Sequence, residues 1–585
     1  MRAHPSSVAF AVFSVARPVA LLVPCAALLA ACSMGAAGDG ADAPGGNVGF
    51  GGAQDIGAFR SILENGEIPG PGTLDAAGFF AEHYVDLPPA DCGQSICLQS
   101  MLSVGGSWVD KGYQATLAVA LNTPEDPAAV DPKPLDLVVV VDTSASMIED
   151  DRIGYVKQGL DLLVDRIGAE DRMALVRYSS DVSVAADFTV VSETGAVDDA
   201  VLAAWREDMH AKVDALAADG ATNLHGGLEA GFQLALVARE AHPERSQRVI
   251  LLSDGQPTAG VTDDESIIAM AEGYIESGIG LTTIGVGQDF NLALMSGLAE
   301  RGAGNFYFLE DPQAIQEVFT EELAYFVEPL ALSVTIEVRA AAGYFIGDVT
   351  GTKLWRAEDN FGSMHLPAVF RASRTGDEPG EGGGRRGGGG TLFLQMLPGP
   401  GTLAGPIAEV RVRYRPVDGG EIIEQMIEVA NPASPDVTPE DAYYSHVAMV
   451  KQYVMYNLFL GLRAASEQAE YNYTCALERL RDLDARAEAW SLTHGDANGD
   501  DDIAADRELM ALFMTNLREH GAEDLPEGQT CDTYYGPQPV DDVYYNEMAC
   551  SAGGNASAGA GMAMMLLWAS ALAWASRRVR RAPAA

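Results

Sequence analysis

Positive charge is scarce in this chain: 37 Lys and Arg stand against 83 Asp and Glu in 585 residues, a formal net charge of -46. Such a surface repels phosphate, which excludes nucleic acid and anionic lipid as partners for the soluble part and makes cations the natural counterpart. Acidity also serves solubility in saline surroundings, a reading that needs no specific cation site. Catalytic signatures are missing too. There is no GxSxG elbow for a hydrolase nucleophile and no HExxH helix for a zinc centre. The nine histidines are scattered, and His210 and His225 lack ligand spacing. Cysteine is rare, with seven in the chain. What is abundant is apolar residue, 48% of a chain too long for one hydrophobic core, so several domains are expected.

Apolar runs mark both ends. Before the first acidic residue, Asp39, come Arg2, Arg17 and "PVALLVPCAALLAAC", the order of a secretory signal, so residues 1–31 are read as a signal peptide. Leu29-Ala30-Ala31-Cys32 resembles the lipobox of bacterial lipoproteins, which implies that Cys32 becomes a lipidated N-terminus. An ordinary signal cut at a nearby small residue is the alternative. Residues 32–54, rich in Gly and Ala, read as a flexible tether. At the far end, "GAGMAMMLLWASALAWAS" is uncharged, short for a span, and followed by Arg577, Arg578, Arg580 and Arg581. With Cys550 ahead of it, the tail 559–585 resembles the C-terminal sorting signals of myxobacterial surface proteins; a plain single-span anchor is the other reading. Both imply an exported protein held at the cell envelope or outer surface through lipid, tail or both. An oxidising compartment then predicts two disulfides, Cys92 with Cys97 and Cys475 with Cys531.

Between the ends, residues 55–133 read as a small leading α+β module, closed by the prolines of "NTPEDPAAVDPKP". From 134 to 327 short apolar runs alternate with helical periods, which predicts an α/β fold with a doubly wound parallel sheet. "LDLVVVV" lacks polar alternation, so both faces of that strand are expected to be covered. A β-rich segment follows over 328–433, interrupted by a Gly-rich stretch at 373–390 that reads as a disordered loop, because no helix with a P-loop Lys follows. Residues 434–522 read as helical: Val447, Val450, Val454 and Leu458 form one apolar stripe, with a helical hairpin plus one as the simplest arrangement. An acidic, Tyr-rich linker spans 523–558. Within the helical region Asp496, Asn498 and Asp500 resemble the first ligands of an EF-hand-type Ca2+ loop. Asp501 in place of Gly and Arg507 in place of the bidentate carboxylate oppose calcium there, so a solvated loop is favoured.

The chemistry concentrates where the valine run stops, at "DTSAS". Asp142 ends the predicted strand, and Ser144 and Ser146, two apart, can aim hydroxyls at one point. A Ser or Asp helix cap would account for such a turn. It would not account for Thr222 in "GATNL" and Asp254 in "LLSDG", which fall on loops at the same sheet edge. Two carboxylates and three hydroxyls suit a hard cation such as Mg2+, with one coordination position left for an outside ligand. These three motifs, in this order on a βα pattern, resemble the metal-ion-dependent adhesion site (MIDAS) of von Willebrand factor A domains. "FRSILENGEIPGPGTLDAAGFFAEHY" before the domain, with "FVEPLALSVTIEV" and "RYRPVDGGE" after it, is similar to a bacterial YfbK-like exported subfamily. The resemblance implies that Asp142, Ser144, Ser146, Thr222 and Asp254 hold Mg2+ or Mn2+, completed by a Glu or Asp of a protein or matrix ligand. The expected function is non-enzymatic, metal-dependent adhesion or protein binding. An accessory subunit presenting substrates to an envelope complex is the first alternative, and a metal-dependent hydrolase the second.

Overall fold

The valine run is a central strand covered on both faces, because successive side chains of a strand point to opposite sides. Leu137, Val139 and Val141 enter one core and Val138 and Val140 another. The structure, a computed structural model, describes residues 46–531 apart from 111, 126–132, 189–198, 288–289, 303, 310–317, 319–328, 373, 375–385, 400–403, 418, 433–441 and 495–499. The signal and Cys32, the tail 559–585, Asp496 and Asn498 lie outside the described residues. Among those described, no helix is long and apolar enough to cross a membrane.

In chain order the strands are β1 (Gly46–Gly49), β2 (Gly52–Ala53), β3 (Cys97–Gly106), β4 (Tyr113–Thr123), β5 (Leu135–Asp142), β6 (Arg172–Tyr178), β7 (Val182–Ala186), β8 (Ser246–Ser253), β9 (Gly280–Val286) and β10 (Asn305–Leu309). They continue with β11 (Pro329–Ala340), β12 (Tyr344–Thr350), β13 (Arg356–Glu358), β14 (Phe361–Arg371), β15 (Thr391–Pro398), β16 (Gly405–Pro416), β17 (Ile423–Asn431) and β18 (Tyr443–Tyr444). The helices are α1 (Gly57–Glu64), α2 (Ala76–Ala81), α3 (Arg152–Arg166), α4 (Asp199–Asp214), α5 (Leu224–Ala241), α6 (Asp264–Ile275), α7 (Leu292–Arg301), α8 (Ala448–Ala469), α9 (Tyr473–His494) and α10 (Asp501–Glu519).

One sheet runs β2-β10-β9-β8-β5-β6-β7, parallel except for β7 at the edge. Val156, Leu160 and Leu163 of α3 and Trp205, Met209 and Val213 of α4 cover one face; Leu228 and Phe232 of α5, Ile267 of α6 and Leu298 of α7 cover the other. This is the predicted doubly wound α/β body. A second, antiparallel sheet runs β12-β15-β4-β1-β14-β11-β16-β17, with β3 beside β4. Its halves close over a shared core of Leu102, Val104, Leu117, Ile336, Val338 and Val410.

The expected leading module is corrected by this topology. β3 and β4 complete the same sheet as the strands after residue 328, while α1 and α2 pack with α8, α9 and α10, placing Phe59 6.1 Å from Phe513. The α/β body is therefore an insertion within a second body built from both flanks. The expected tether is corrected as well: β1 pairs with β4 and β14, and β2 joins the α/β sheet beside β10, so Gly46–Ala53 stitches both sheets. Part of the Gly-rich stretch is packed rather than loose. Arg386 is buried with its Nε 2.7 Å from Asp55, and Gly388 passes so close that a Cβ there would lie 2.0 Å from the His83 carbonyl. The stripe on α8 holds from Val450 onward, but Val447 sits exposed at the cap. Both expected disulfides are present, with Cα–Cα distances of 5.7 Å for Cys92–Cys97 and 5.6 Å for Cys475–Cys531.

Candidate metal site at the carboxyl edge of the α/β sheet

β5 is the strand at which the sheet order reverses, with β6 on one side and β8 on the other. Ligands of open α/β sheets bind past the carboxyl ends of the strands at that switch. Asp142 ends β5 there and is fully buried. The chain then turns on Thr143, whose backbone N–H and hydroxyl both donate to the Tyr178 carbonyl, at 2.7 and 2.9 Å. This turn brings the Ser144 and Ser146 hydroxyl oxygens within 3.0 Å of each other, as two hydroxyls directed at one point require.

Thr222 arrives on the loop before α5. That loop is tied to the serine turn by Ala145 N–H donating to the Gly220 carbonyl at 3.0 Å and Asp219 N–H donating to the Thr143 carbonyl at 2.8 Å. Thr222 is itself buried, and its backbone N–H donates to the Thr258 hydroxyl at 2.9 Å, linking it to the loop after β8. Asp254 follows β8 directly and is buried. All five expected residues thus lie at one edge of the sheet: Asp142 at the end of β5, Ser144 and Ser146 in the turn and short 3-10 helix after it, Thr222 on the loop before α5 and Asp254 just past β8, with hydrogen bonds linking these segments.

Three further side chains take part that the sequence did not single out. Asp142 Oδ1 accepts from the Ser144 backbone N–H at 2.8 Å, while Oδ2 accepts from the Ser253 hydroxyl at 2.7 Å and the Tyr178 hydroxyl at 3.1 Å. Arg152, the first residue of α3, donates from Nη1 to Asp254 Oδ2 at 3.3 Å. Ser253 adjoins Asp254 and Tyr178 ends its strand, so position was the available signal for these two; Arg152 carries no such positional signal, because it opens α3.

Burial and the negative charge of Asp254 push the Asp142 carboxyl up to about 6, against hydrogen bonds from Ser253 and Ser144 that act to lower it. Burial, then the charge of Asp142, drives the Tyr178 hydroxyl well above its usual range. A buried Asp142 carboxyl pushed up beside a second buried carboxylate favours an added positive charge. The donors fit a hard divalent ion: two carboxylates and three hydroxyls, all oxygen. Among the described residues no group of three or more His, Cys, Asp or Glu side chains is placed to hold a metal. Of the calcium-loop residues, Asp500 caps α10 by accepting from the Ile503 N–H and pairs with Lys451 at 2.8 Å. Arg507 turns to Asp484 at 2.7 Å.

Residues 136–321 match the family model for the von Willebrand factor type A domain. The protein YfbK of Escherichia coli (strain K12) is 30% identical over 204 residues, covering 35% of this chain and 33% of its own length. Inter-alpha-trypsin inhibitor heavy chain H1 of Sus scrofa is 28% identical over 214 residues, covering 35% of this chain and 22% of its own. The match therefore spans a third or less of these curated relatives. A solved von Willebrand factor type A structure from Catenulispora acidiphila covers 68% of this chain and 87% of its own at 16% identity, with a TM-score of 0.43. The α/β body of this chain is a von Willebrand factor type A domain.

Proposed function

We propose that this protein is a non-enzymatic, metal-dependent binding module of the bacterial cell envelope, tethered through Cys32, the tail 559–585 or both. Ser144, Ser146 and Thr222 offer hydroxyls to Mg2+ or Mn2+, Asp254 and Asp142 reach it directly or through water, and a partner's Glu or Asp completes the coordination. The type A family typically mediates protein–protein interaction and adhesion. The observation that carries the reading is the convergence of these oxygen donors on one sheet edge, around a buried carboxylate pair in which one member is pushed up in pKa. Excess negative charge held by rigid loops is what a divalent ion would relieve. Once bound, the ion would bridge an acidic protein to an acidic group of its partner.

The test is chemical crosslinking of the full-length chain to envelope proteins in Mg2+ and in EDTA. Crosslinked products should disappear in EDTA, return with added Mg2+ and be absent for Thr222→Ala in either condition. Products that persist in EDTA at equal yield would overturn metal dependence.

A further inference from the structure

Positive charge already reaches the carboxylate pair from within the chain. Arg152 and Asp254 are both buried, and Nη1 of the guanidinium lies 3.3 Å from the Asp254 carboxylate. The Arg152 side chain passes against Gly287, just past β9. That residue has φ of +81°, and a Cβ there would stand 2.3 Å from the Arg152 Nε. On the solvent side, Arg152 Nη2 lies 3.8 Å from the carboxylate of Glu149, which is exposed. The guanidinium is thus poised between an acceptor inside the candidate metal site and one on its rim.

A guanidinium and a divalent ion compete for the same carboxylate oxygens and repel each other at this range. We propose that Arg152 is a resident counter-cation of the metal site: it neutralises Asp254 in the metal-free protein, and an arriving divalent ion displaces it toward Glu149. The proposal rests on the reading of Asp142, Ser144, Ser146, Thr222 and Asp254 as metal ligands. It assigns regulation to that site, because metal affinity is then held below what the five oxygen donors would supply alone. Arg152 acts through Asp254 and is a positioning residue. The opposite role, orienting Asp254 for the metal, would make its loss weaken binding, so the two accounts differ in sign.

The experiment is isothermal titration of the full-length chain with Mn2+ alone, comparing wild type, Arg152→Gln, Arg152→Lys, Gly287→Ala and Asp142→Ala. Arg152→Gln should bind Mn2+ ~10-fold more tightly than wild type, the size of effect expected for one nearby charge partly screened by protein and water. Arg152→Lys keeps the charge and should stay within ~3-fold of wild type. Gly287→Ala pushes the guanidinium from its place and should also bind more tightly, which keeps the proposal testable if Arg152→Gln fails to fold. Unchanged or weaker binding by Arg152→Gln, or by Gly287→Ala in its place, overturns the counter-cation role while wild-type binding leaves the metal reading standing. Absence of Mn2+ binding in every protein overturns the metal reading, and this proposal with it.

Discussion

At the carboxyl edge of the α/β sheet, Asp142 and Asp254 share one buried neighbourhood with the Arg152 guanidinium at 3.3 Å, whereas in the helical body the partly buried Asp502 and the buried Asp506 sit among Lys451, Arg374 and His83. Asp502 accepts from Arg374 at 2.9 Å, Lys451 at 2.8 Å and the Tyr84 N–H at 2.9 Å, and Asp506 lies 2.9 Å from His83. The consequences run in opposite directions for Asp502 and Asp142, while burial still holds the Asp506 carboxyl above its usual range despite His83. Burial opposes ionisation of Asp502, but Lys451, His83 and Arg374 outweigh it and bring its carboxyl down to about 2. Asp142 is pushed up to about 6. A buried carboxylate with sufficient partners is a strut; a buried pair short of positive charge is a place for a ligand.

The largest effect expected on the strut side comes from Arg386, whose guanidinium is buried against Asp55. Arg386→Ala leaves that carboxylate uncompensated in the core and should cost about 3 to 5 kcal/mol, read as a lower urea midpoint. A loss below about 1 kcal/mol would remove the distinction between struts and site.

The two aspartates should also show opposite pH slopes. In EDTA, Asp142 holds its proton more tightly folded than unfolded, so its contribution improves as pH falls from about 6 toward 4 and worsens as pH rises. Relative to Asp142→Asn, wild type should gain about 3 kcal/mol across that window, and Asp142→Asn should be the more stable protein at pH 7 without metal. Asp502 has a depressed folded pKa, so its contribution is present above about 4 and is lost as pH falls through about 2. Denaturant unfolding of Asp502→Asn beside wild type should show a deficit of about 2 kcal/mol at pH 7 that closes over that acid window. Slopes of the same sign would show that partner supply does not separate the two places.

The contrast also explains what could be read from sequence. The type A body was legible because its signals are local: a valine run buried on both faces, helical periods alternating with short apolar runs, and "DTSAS", "GATNL" and "SDG" at strand or loop ends. The second body was legible only in part: its later strands and its C-terminal helices were expected, but not that the sheet joins segments more than two hundred residues apart, such as Leu117 of β4 opposite Leu394 of β15. Alternation along a segment can mark it as a strand, as in β11 and β16, but it does not say which distant strand it joins. β1 and β2 hid in a Gly-rich stretch because pairing there runs through the backbone, and glycines near 388 allow close approach without contributing a hydrophobic pattern. Arg152, Tyr178 and Ser253 were missed because their roles come from partners on other elements.

The most direct measurement is thermal unfolding of the full-length chain in EDTA and in Mg2+ or Mn2+, beside Asp142→Ala. At about a hundred times its dissociation constant a metal adds about 2.7 kcal/mol, which for the type A domain is a rise of roughly 5 to 10 °C. The predicted result is that rise in wild type and none in Asp142→Ala. Equal melting in EDTA and metal for wild type, or an equal rise in both proteins, would contradict a metal site built on Asp142.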